Sequence, residues 1–256
     1  YVNARALDLA GLAAGALPEV EGGRIVLDAR GAPSGVLVDA AATLVAARIP
    51  APDDETRARR VLAAQDVLLR AGLVAVHDMG TAPQTLAVLR ELQRDGRLKL
   101  RVVSYVWANE GLPPLPDSPV LRDRDVARRV WLAGAKLMVD GALGSRGAAL
   151  LAPYADAPAE SGLLQMSPEV FAARLREVVA AELQPATHAI GDRANRMVLD
   201  AYEREFGADW KKRSRLRPRI EHAQVVAPED WGRFETLGIV PSMQPTHATS
   251  DMRCAQ

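Results

Sequence analysis

The part of the sequence that decides the fold runs from PATHAI (Pro185–Ile190) to RIEHA (Arg219–Ala223). Both runs are short and largely apolar, as is typical of strands covered on both faces. A helical pattern that begins at Asp192 separates them. A strand, a helix and a second strand at this spacing predict a parallel pair joined by a right-handed crossover.

The same alternation extends outward in both directions from this unit. We predict six strands: Leu73–Asp78, Leu100–Trp107, Ala135–Asp140, Pro185–Ile190, Arg219–Ala223 and Gly238–Gln244. Helical patterns fit between most of them: Val61–Leu69 closed by Gly72, Gln84–Asp95, a helix after Ser167-Pro168, Asp192–Glu203 and Pro228–Leu237. The predicted fold class is α/β, an incomplete (β/α)8 barrel of the TIM type with about six of its eight strands.

Residues 1–50 differ from the rest, because they are apolar, Gly-rich and carry a hairpin pattern around Gly22–Gly35. We expect residues 1–50 to form a lobe that precedes the barrel and residues 51–256 to form the central barrel. Asn109–Asp125 and Gly141–Gly162 are predicted loops. The chain opens without Met and closes without a helical pattern, so we expect both ends to be truncations.

Composition narrows the classes of function. The 256 residues carry 32 basic and 32 acidic side chains, so no global field would attract nucleic acid or an anionic membrane. No apolar run is long enough to span a bilayer. The single cysteine, Cys254, excludes an intrachain disulfide and suits a cytoplasmic location. These features argue against a nucleic-acid partner and against a membrane protein.

Polar residues concentrate where predicted strands end, which is where barrel enzymes place their reactive groups. All four histidines, His77, His188, His222 and His247, lie at or just beyond a strand end. His188 and His222 come from consecutive strands, so their imidazoles could converge on one divalent ion. A single histidine in such a position is more often a hydrogen-bonded core residue, and the shared position is what favours a site.

Lys136 and Asp140 lie on the predicted strand that precedes PATHAI. A lysine that points into a barrel is costly unless it is paired or modified. Its structural alternative is a buried salt bridge to Asp140 or Glu221, and spacing alone leaves that alternative open.

Four motifs in this order resemble the YtcJ-like branch of amidohydrolase family 3, a branch that includes N-substituted formamide deformylase. They are DGALGSRGAALLAPYAD (Asp140–Asp156), THAIGDRAN (Thr187–Asn195), RIEHAQ (Arg219–Gln224) and SMQPTHATSDM (Ser242–Met252). The resemblance covers essentially the whole chain. It implies a metal-dependent hydrolase that cleaves a C–N bond other than a peptide bond, of amide or N-formyl type, through a metal-activated water.

The resemblance also implies a set of metal ligands and catalytic residues. Lys136, His188 and His222 match the family's ligands for one or two divalent ions, with zinc as the expected metal and Lys136 as a candidate for carboxylation. Asp192 joins them as a catalytic candidate that either orients a ligand or caps its helix. The family's HxH pair on the first strand and its aspartate on the last strand have no counterpart in this sequence.

Five further residues are candidate substrate contacts, because they end a strand or lie in the loop just after one: Trp107, Asp140, Ser145, Arg146 and His247. The loop after Lys136 is expected to be either a lid over the site or an ordered surface loop. The expected partner is a small amide-like substrate, with a homodimer as the candidate assembly and no nucleic acid or membrane.

Two other hypotheses compete with this one. The chain could be a non-catalytic or truncated piece of such a hydrolase, because it lacks the HxH pair and the last-strand aspartate. It could also be a barrel lyase or isomerase that uses Lys136 as a Schiff base, although the paired histidines would then have no role.

Overall fold

The chain divides into two compact units, Tyr1–Asp53 and Asp54–Gln256. The computed structural model describes residues 1–13, 17–20, 23–39, 41–115, 128–207 and 209–251.

The first unit is a small lobe built on an antiparallel hairpin, which confirms the hairpin predicted around Gly22–Gly35. Its elements are α1 (Ala4–Leu9), β1 (Gly23–Leu27), β2 (Pro33–Asp39) and α2 (Ala42–Ala46). Leu7, Leu12 and Val45 form its buried core. Gly35 has a φ of 88°, and a side chain there would collide with the Val2 carbonyl oxygen, so glycine is required at this position.

The second unit contains six parallel strands in sequential order, which confirms the predicted fold class. They are β3 (Ala75–Met79), β4 (Arg101–Trp107), β5 (Val130–Met138), β6 (Gln184–Ala189), β7 (Arg219–His222) and β8 (Val240–Ser242). Each strand corresponds to a predicted one, but β5 begins five residues before the predicted Ala135. Gly134 weakens the strand pattern of residues 130–134, so these residues were not included in the predicted strand. The structure needs glycine there because an added Cβ would lie 2.6 Å from the Tyr105 ring.

Helices cover one face of this sheet. They are α3 (Asp54–Arg70), α4 (Pro83–Arg94), α5 (Pro168–Ala180), α6 (Asp192–Phe206), α7 (Trp210–Leu216) and α8 (Pro228–Leu237), and the short α9 (His247–Ser250) follows β8 at the carboxyl edge. The five predicted helices are confirmed, and the short α7 and α9 were not predicted. Ser167 caps α5 by accepting a hydrogen bond from the Val170 amide, as its sequence indicated.

The main hydrophobic core lies between the sheet and these helices. Leu86 and Leu89 of α4 and Leu175 of α5 are almost completely buried in it. On β6, Thr187 points toward the helices and hydrogen-bonds the Tyr202 hydroxyl of α6 at 2.8 Å. Because side chains alternate along a strand, His188 must point to the opposite face.

That opposite face is concave. Arg219 Nη1 on β7 donates to His77 Nδ1 on β3 at 3.0 Å, although the two strands are four places apart in the sheet. Four spacings in a flat sheet would separate these strands by roughly 19 Å. The contact is therefore possible only because the six strands curl as part of a barrel.

Two predicted loops lie between the strands and helices of the second unit. The segment Gly141–Gly162 is a loop, with a single 3-10 turn at Leu143–Ser145 and one isolated bridge between Tyr154 and Ala157. The predicted loop Asn109–Asp125 lies partly outside the described residues, since 116–127 are not covered. Among the residues covered, no helix has the length and apolarity needed to cross a membrane.

Candidate functional site

Polar side chains line the concave face near the carboxyl ends of β5, β6 and β7. Lys136 on β5 pairs in register with Trp107 on β4 and Ala186 on β6, and His188 lies two residues beyond Ala186. Lys136 and His188 therefore share the concave face. This edge of a parallel sheet is where barrel enzymes build their sites.

His188 and His222 meet at this edge, as their strand-end positions predicted. Their ring centroids are 4.6 Å apart in an edge-on arrangement. His247, the first residue of α9, adds a third ring 5.7 Å from His222. His222 Nδ1 donates to Gln244 Oε1 at 2.7 Å, which leaves Nε2 of that ring without the proton. Gln244 follows β8 and fixes the orientation of the His222 ring.

Strand alternation alone would turn His222 away from the site, because Ile220 and His222 should share the helix-covered face. The backbone avoids this outcome. His222 has a φ of 75° and Ala223 a φ of 42°, so the strand ends in a left-handed turn that brings the imidazole to the carboxyl edge. Non-glycine residues seldom adopt such angles, and they concentrate where function requires a particular geometry.

Lys136 is buried at this same place, with 6% of its surface exposed. Within the described part of the chain its ammonium has no hydrogen bond or ion pair, so the predicted alternative of a salt bridge to Asp140 or Glu221 is wrong. Burial lowers the pKa of Lys136 to about 8, with Glu221 opposing the shift and Arg219 adding to it. The nearby His222 has its pKa lowered chiefly by burial, so a neutral imidazole is favoured there.

Below this cluster, a charged network connects the strands across the concave face. Arg219 forms two hydrogen bonds to Glu221 and a third, of 2.6 Å, to Ser242 Oγ. Its guanidinium carbon also lies 5.6 Å from the centre of the Tyr105 ring. Glu221 is thereby committed to Arg219, which explains why it provides no direct partner for Lys136.

Asp140 follows β5 and is completely buried. Its Oδ1 accepts from the Ile190 amide at 3.0 Å, and its Oδ2 accepts from the Ala149 and Gly191 amides at 3.0 and 2.8 Å. Oδ1 also lies 3.4 Å from His188 Nε2. We call these four residues, Asp140, Ala149, Ile190 and Gly191, the amide clasp. The Asp140 carboxylate therefore holds three backbone amides in place and does not line an open surface.

Asp192 begins α6 and is turned away from the histidine pair. Its Oδ1 accepts from the Leu151 amide at 2.8 Å and from the Arg193 amide at 2.9 Å. The first contact ties the loop after β5 to α6, and the second lies at the helix start, where a carboxylate is favourable. The N-cap of α6 is Gly191, without a side-chain cap hydrogen bond, so the predicted capping role of Asp192 is wrong: Asp192 is the first helical residue, and its carboxylate holds the Leu151 amide.

The other predicted substrate residues are spread over a wider area. Trp107 ends β4 beside Lys136 in register, with 36% of its surface exposed. Ser145 Oγ donates to the Ala142 carbonyl, and Arg146 pairs with Asp156 at 2.8 Å on the surface. The structure therefore brings Trp107 and His247 to the cluster, whereas Ser145 and Arg146 make contacts within their own loop.

Several residues of the site were not predicted from the sequence. Gln244 and Tyr105 were missed, although Gln244 lies just after a strand and the strand-end argument would have found it. Arg219 was missed because its role depends on the curl of the sheet.

Among the described residues, no three His, Cys, Asp or Glu side chains form a group that could hold a metal ion.

Comparison with known proteins gives the family. A model described as "Amidohydrolase family" matches residues 1–256. The chain is 33% identical over 263 residues to the Arabidopsis thaliana protein LONG AFTER FAR-RED 3, covering 97% of this chain and 44% of that protein. It is 28% identical over 261 residues to the candidate amidohydrolase YtcJ of Bacillus subtilis (strain 168), covering 98% of this chain and 46% of YtcJ.

Solved structures agree with this result. A metal-dependent hydrolase from Pyrococcus horikoshii OT3 superposes with a TM-score of 0.73 at 28% identity, over 96% of this chain and 46% of the other. A second, from Pyrococcus furiosus, gives a TM-score of 0.71 at 28% identity, over 97% and 48%. The chain thus spans about half the length of the proteins it matches. Its sequence and its curled parallel sheet together show that it belongs to the amidohydrolase family.

Proposed function

We propose that the chain provides the metal-binding core of a hydrolase that cleaves a C–N bond other than a peptide bond, of amide or N-formyl type. The observation that carries the proposal is the meeting of His188 and His222 beside Lys136. Their rings lie 4.6 Å apart at the carboxyl edge of the sheet, and Lys136 is buried there without a partner. Family membership and the two metal-dependent hydrolases of similar fold support it.

The residues present fit a divalent metal. His222 directs its Nδ1 proton to Gln244, so its Nε2 keeps a lone pair for an ion. His188 Nε2 faces two acceptors, the Gly141 carbonyl at 3.5 Å and Asp140 Oδ1 at 3.4 Å, so its Nδ1 is the nitrogen left to bind. Two neutral imidazoles favour zinc over magnesium or calcium. A carboxylated Lys136 would add an anionic ligand and would remove the cost of a buried ammonium.

When bound, such an ion lowers the pKa of a water molecule and polarises a carbonyl group. The chain's own residues supply orientation and shape. Gln244 holds His222, and the half-exposed Trp107 offers an apolar wall beside Lys136 for a substrate. His247 is placed to contact a bound substrate from α9, 5.7 Å from His222. The cytoplasmic location and the homodimer stay predictions.

Metal content and hydrolysis test the proposal together. The purified chain should hold close to one or two equivalents of zinc by plasma emission spectroscopy and should release amine from some of a panel of N-formyl and N-acyl amines. His188→Ala and His222→Ala should each lose the metal. His77→Gln is the matched control, because its ring contacts Arg219 and Tyr105 instead of the pair, and it should retain the metal.

The competing hypotheses give different results in the same experiment. A non-catalytic piece would bind metal and hydrolyse none of the amides. A Schiff-base enzyme would form a substrate adduct on Lys136 that borohydride traps, and its activity would survive loss of both histidines. The proposal is contradicted if zinc content is negligible and His188→Ala and His222→Ala leave it unchanged.

A further inference from the structure

The loop that follows β5 is fastened to the start of α6 through the carbonyl of Ala149, while the amide of Ala149 is held by the Asp140 carboxylate. The Ala149 amide donates to Asp140, and the Ala149 carbonyl accepts from the Arg193 and Ala194 amides at 3.1 and 3.3 Å. That carbonyl satisfies amides of the first helical turn, which have no partner within the helix. Leu151 adds its hydrogen bond to Asp192.

Close backbone packing reinforces these hydrogen bonds. A Cβ added at Gly191 would lie 2.0 Å from the Ala149 carbonyl oxygen, and one added at Gly162 would lie 1.8 Å from the Ala148 carbonyl oxygen. Either distance is far inside van der Waals contact, so both positions require glycine. Tyr154, which is buried, also donates from its hydroxyl to the Ala148 carbonyl at 2.9 Å. The segment from Asp140 to Leu151 is therefore held at many points along its length.

The same carboxylate that anchors this segment faces His188. Asp140 Oδ1 and the Gly141 carbonyl oxygen both lie near His188 Nε2, at 3.4 and 3.5 Å. Both oxygens can only accept, so they favour the tautomer with the proton on Nε2. A carboxylate or carbonyl behind a ligand imidazole commonly fixes its tautomer and ring orientation.

We propose that Asp140 is a positioning residue of the metal site, which sets the tautomer of His188 and locks residues 140–151 as a fixed wall. This inference rests on the proposed function for its consequence on metal affinity. It replaces the predicted substrate contact of Asp140 with an action through His188. It also replaces the predicted lid with a segment that stays in place while substrate enters.

The tautomer of His188 can be measured without metal and without a substitution. Long-range ¹H–¹⁵N correlation spectra of the metal-free chain, in mildly alkaline buffer where imidazoles are neutral, should show His188 protonated on Nε2. Amides of Ala149 and Gly191 should be protected from hydrogen exchange. A proton on Nδ1 of His188 overturns the positioning role, and free exchange at Ala149 overturns the fixed wall.

Substitution of Asp140 tests its effect on zinc affinity. Asp140→Asn should weaken zinc affinity on the order of 10- to 100-fold and should mix the two tautomers of His188. Asp156→Asn is the control, because it makes the same charge change in the same loop while its partner is Arg146. Equal zinc affinities in the two variants would contradict the proposal.

A variant that does not fold and a chain that binds no zinc would each leave a clear result. If Asp140→Asn does not fold, a proton on Nδ1 of His188 in the unsubstituted chain would still overturn the positioning role, and free exchange at the Ala149 amide would still overturn the fixed wall. If the unsubstituted chain binds no zinc, the proposed function fails, whereas an Nε2 proton on His188 would still support the action of Asp140 on that ring.

Discussion

Asp140 and Lys136 lie four residues apart near the end of β5, and both are withdrawn from water, yet their surroundings are opposite. Asp140 accepts hydrogen bonds from three backbone amides and faces His188. Lys136 has no such partner among the described residues, and burial lowers its pKa to about 8. A buried charge with every partner in place supports the fold, whereas a buried charge without one indicates a position kept for a ligand or a modification.

The difference arises from which elements surround each side chain. Asp140 lies beyond the strand, where two loops bring free backbone amides to it. Lys136 lies inside a strand that is paired on both sides, where the backbone carbonyl oxygens already accept hydrogen bonds from the sheet, so a side-chain carboxylate is the partner that its ammonium would need. Glu221, the carboxylate whose charge raises the pKa of Lys136, is occupied by Arg219.

The largest effect on stability is expected at the amide clasp. Asp140→Ala would leave three buried amides without an acceptor, and each such group costs about 1 to 3 kcal/mol. We expect the free energy of unfolding to fall by about 3 to 5 kcal/mol, measured by urea denaturation. A fall below about 1 kcal/mol would show that the clasp contributes little and would remove the contrast with Lys136.

A smaller loss of stability is expected from a substitution in the charged network of Arg219 and Glu221. Glu221→Gln keeps the shape of the side chain but removes the charge that Arg219 contacts twice, so unfolding should become easier by about 2 to 3 kcal/mol. Glu91→Gln is the matched control, because its pair with Arg94 is exposed, and it should change stability by less than about 1 kcal/mol. Equal effects of the two substitutions would contradict the importance of burial.

The hydroxyl of Tyr154 should have a modest effect. Tyr154→Phe removes its hydrogen bond to the Ala148 carbonyl and little else, so the expected loss is about 1 kcal/mol in the same denaturation experiment. Hydrogen exchange at the Ala149 amide should increase only slightly, because Asp140 still holds it. Full loss of protection at Ala149 would mean that Tyr154, and not Asp140, secures the segment.

The smallest effect on stability, with the opposite sign, is expected at Lys136. Lys136→Met removes a buried ammonium without a partner, so the free energy of unfolding should stay constant or rise by up to about 1 kcal/mol. Zinc binding should be lost at the same time. A clear loss of stability would show that Lys136 has a structural partner, and the comparison with Asp140 would then be wrong.

Much of the fold could be predicted because its causes are local. Short apolar runs gave all six strands, and caps such as Ser167 and Gly72 gave helix ends. The early start of β5 was missed because glycine weakens a strand pattern, and the tight approach of Tyr105 to Gly134 is a tertiary contact. The contact between His77 and Arg219 was missed for the same reason, since it exists only once the sheet has curled.

The site was predicted in part for similar reasons. The strand-end rule brought His188, His222 and Lys136 together, but alternation along the strand gives the wrong face for His222. The positive φ of His222 turns its imidazole to the carboxyl edge of the sheet. A glycine would have indicated such a backbone angle, but none occurs at this position. The amide clasp was not predicted either, because the partners of Asp140 are backbone amides, which no pattern of side chains encodes.

The position of a bound zinc ion shows whether His188, His222 and Lys136 form a metal site. Crystals of the chain soaked in zinc, measured on both sides of the zinc absorption edge, should show an anomalous peak roughly 2 Å from an imidazole nitrogen of both His188 and His222, with Lys136 alongside. We expect Nδ1 of His188 and Nε2 of His222 to be the nitrogens in contact with the ion. No peak between these two rings, or zinc bound only at other residues, would contradict it.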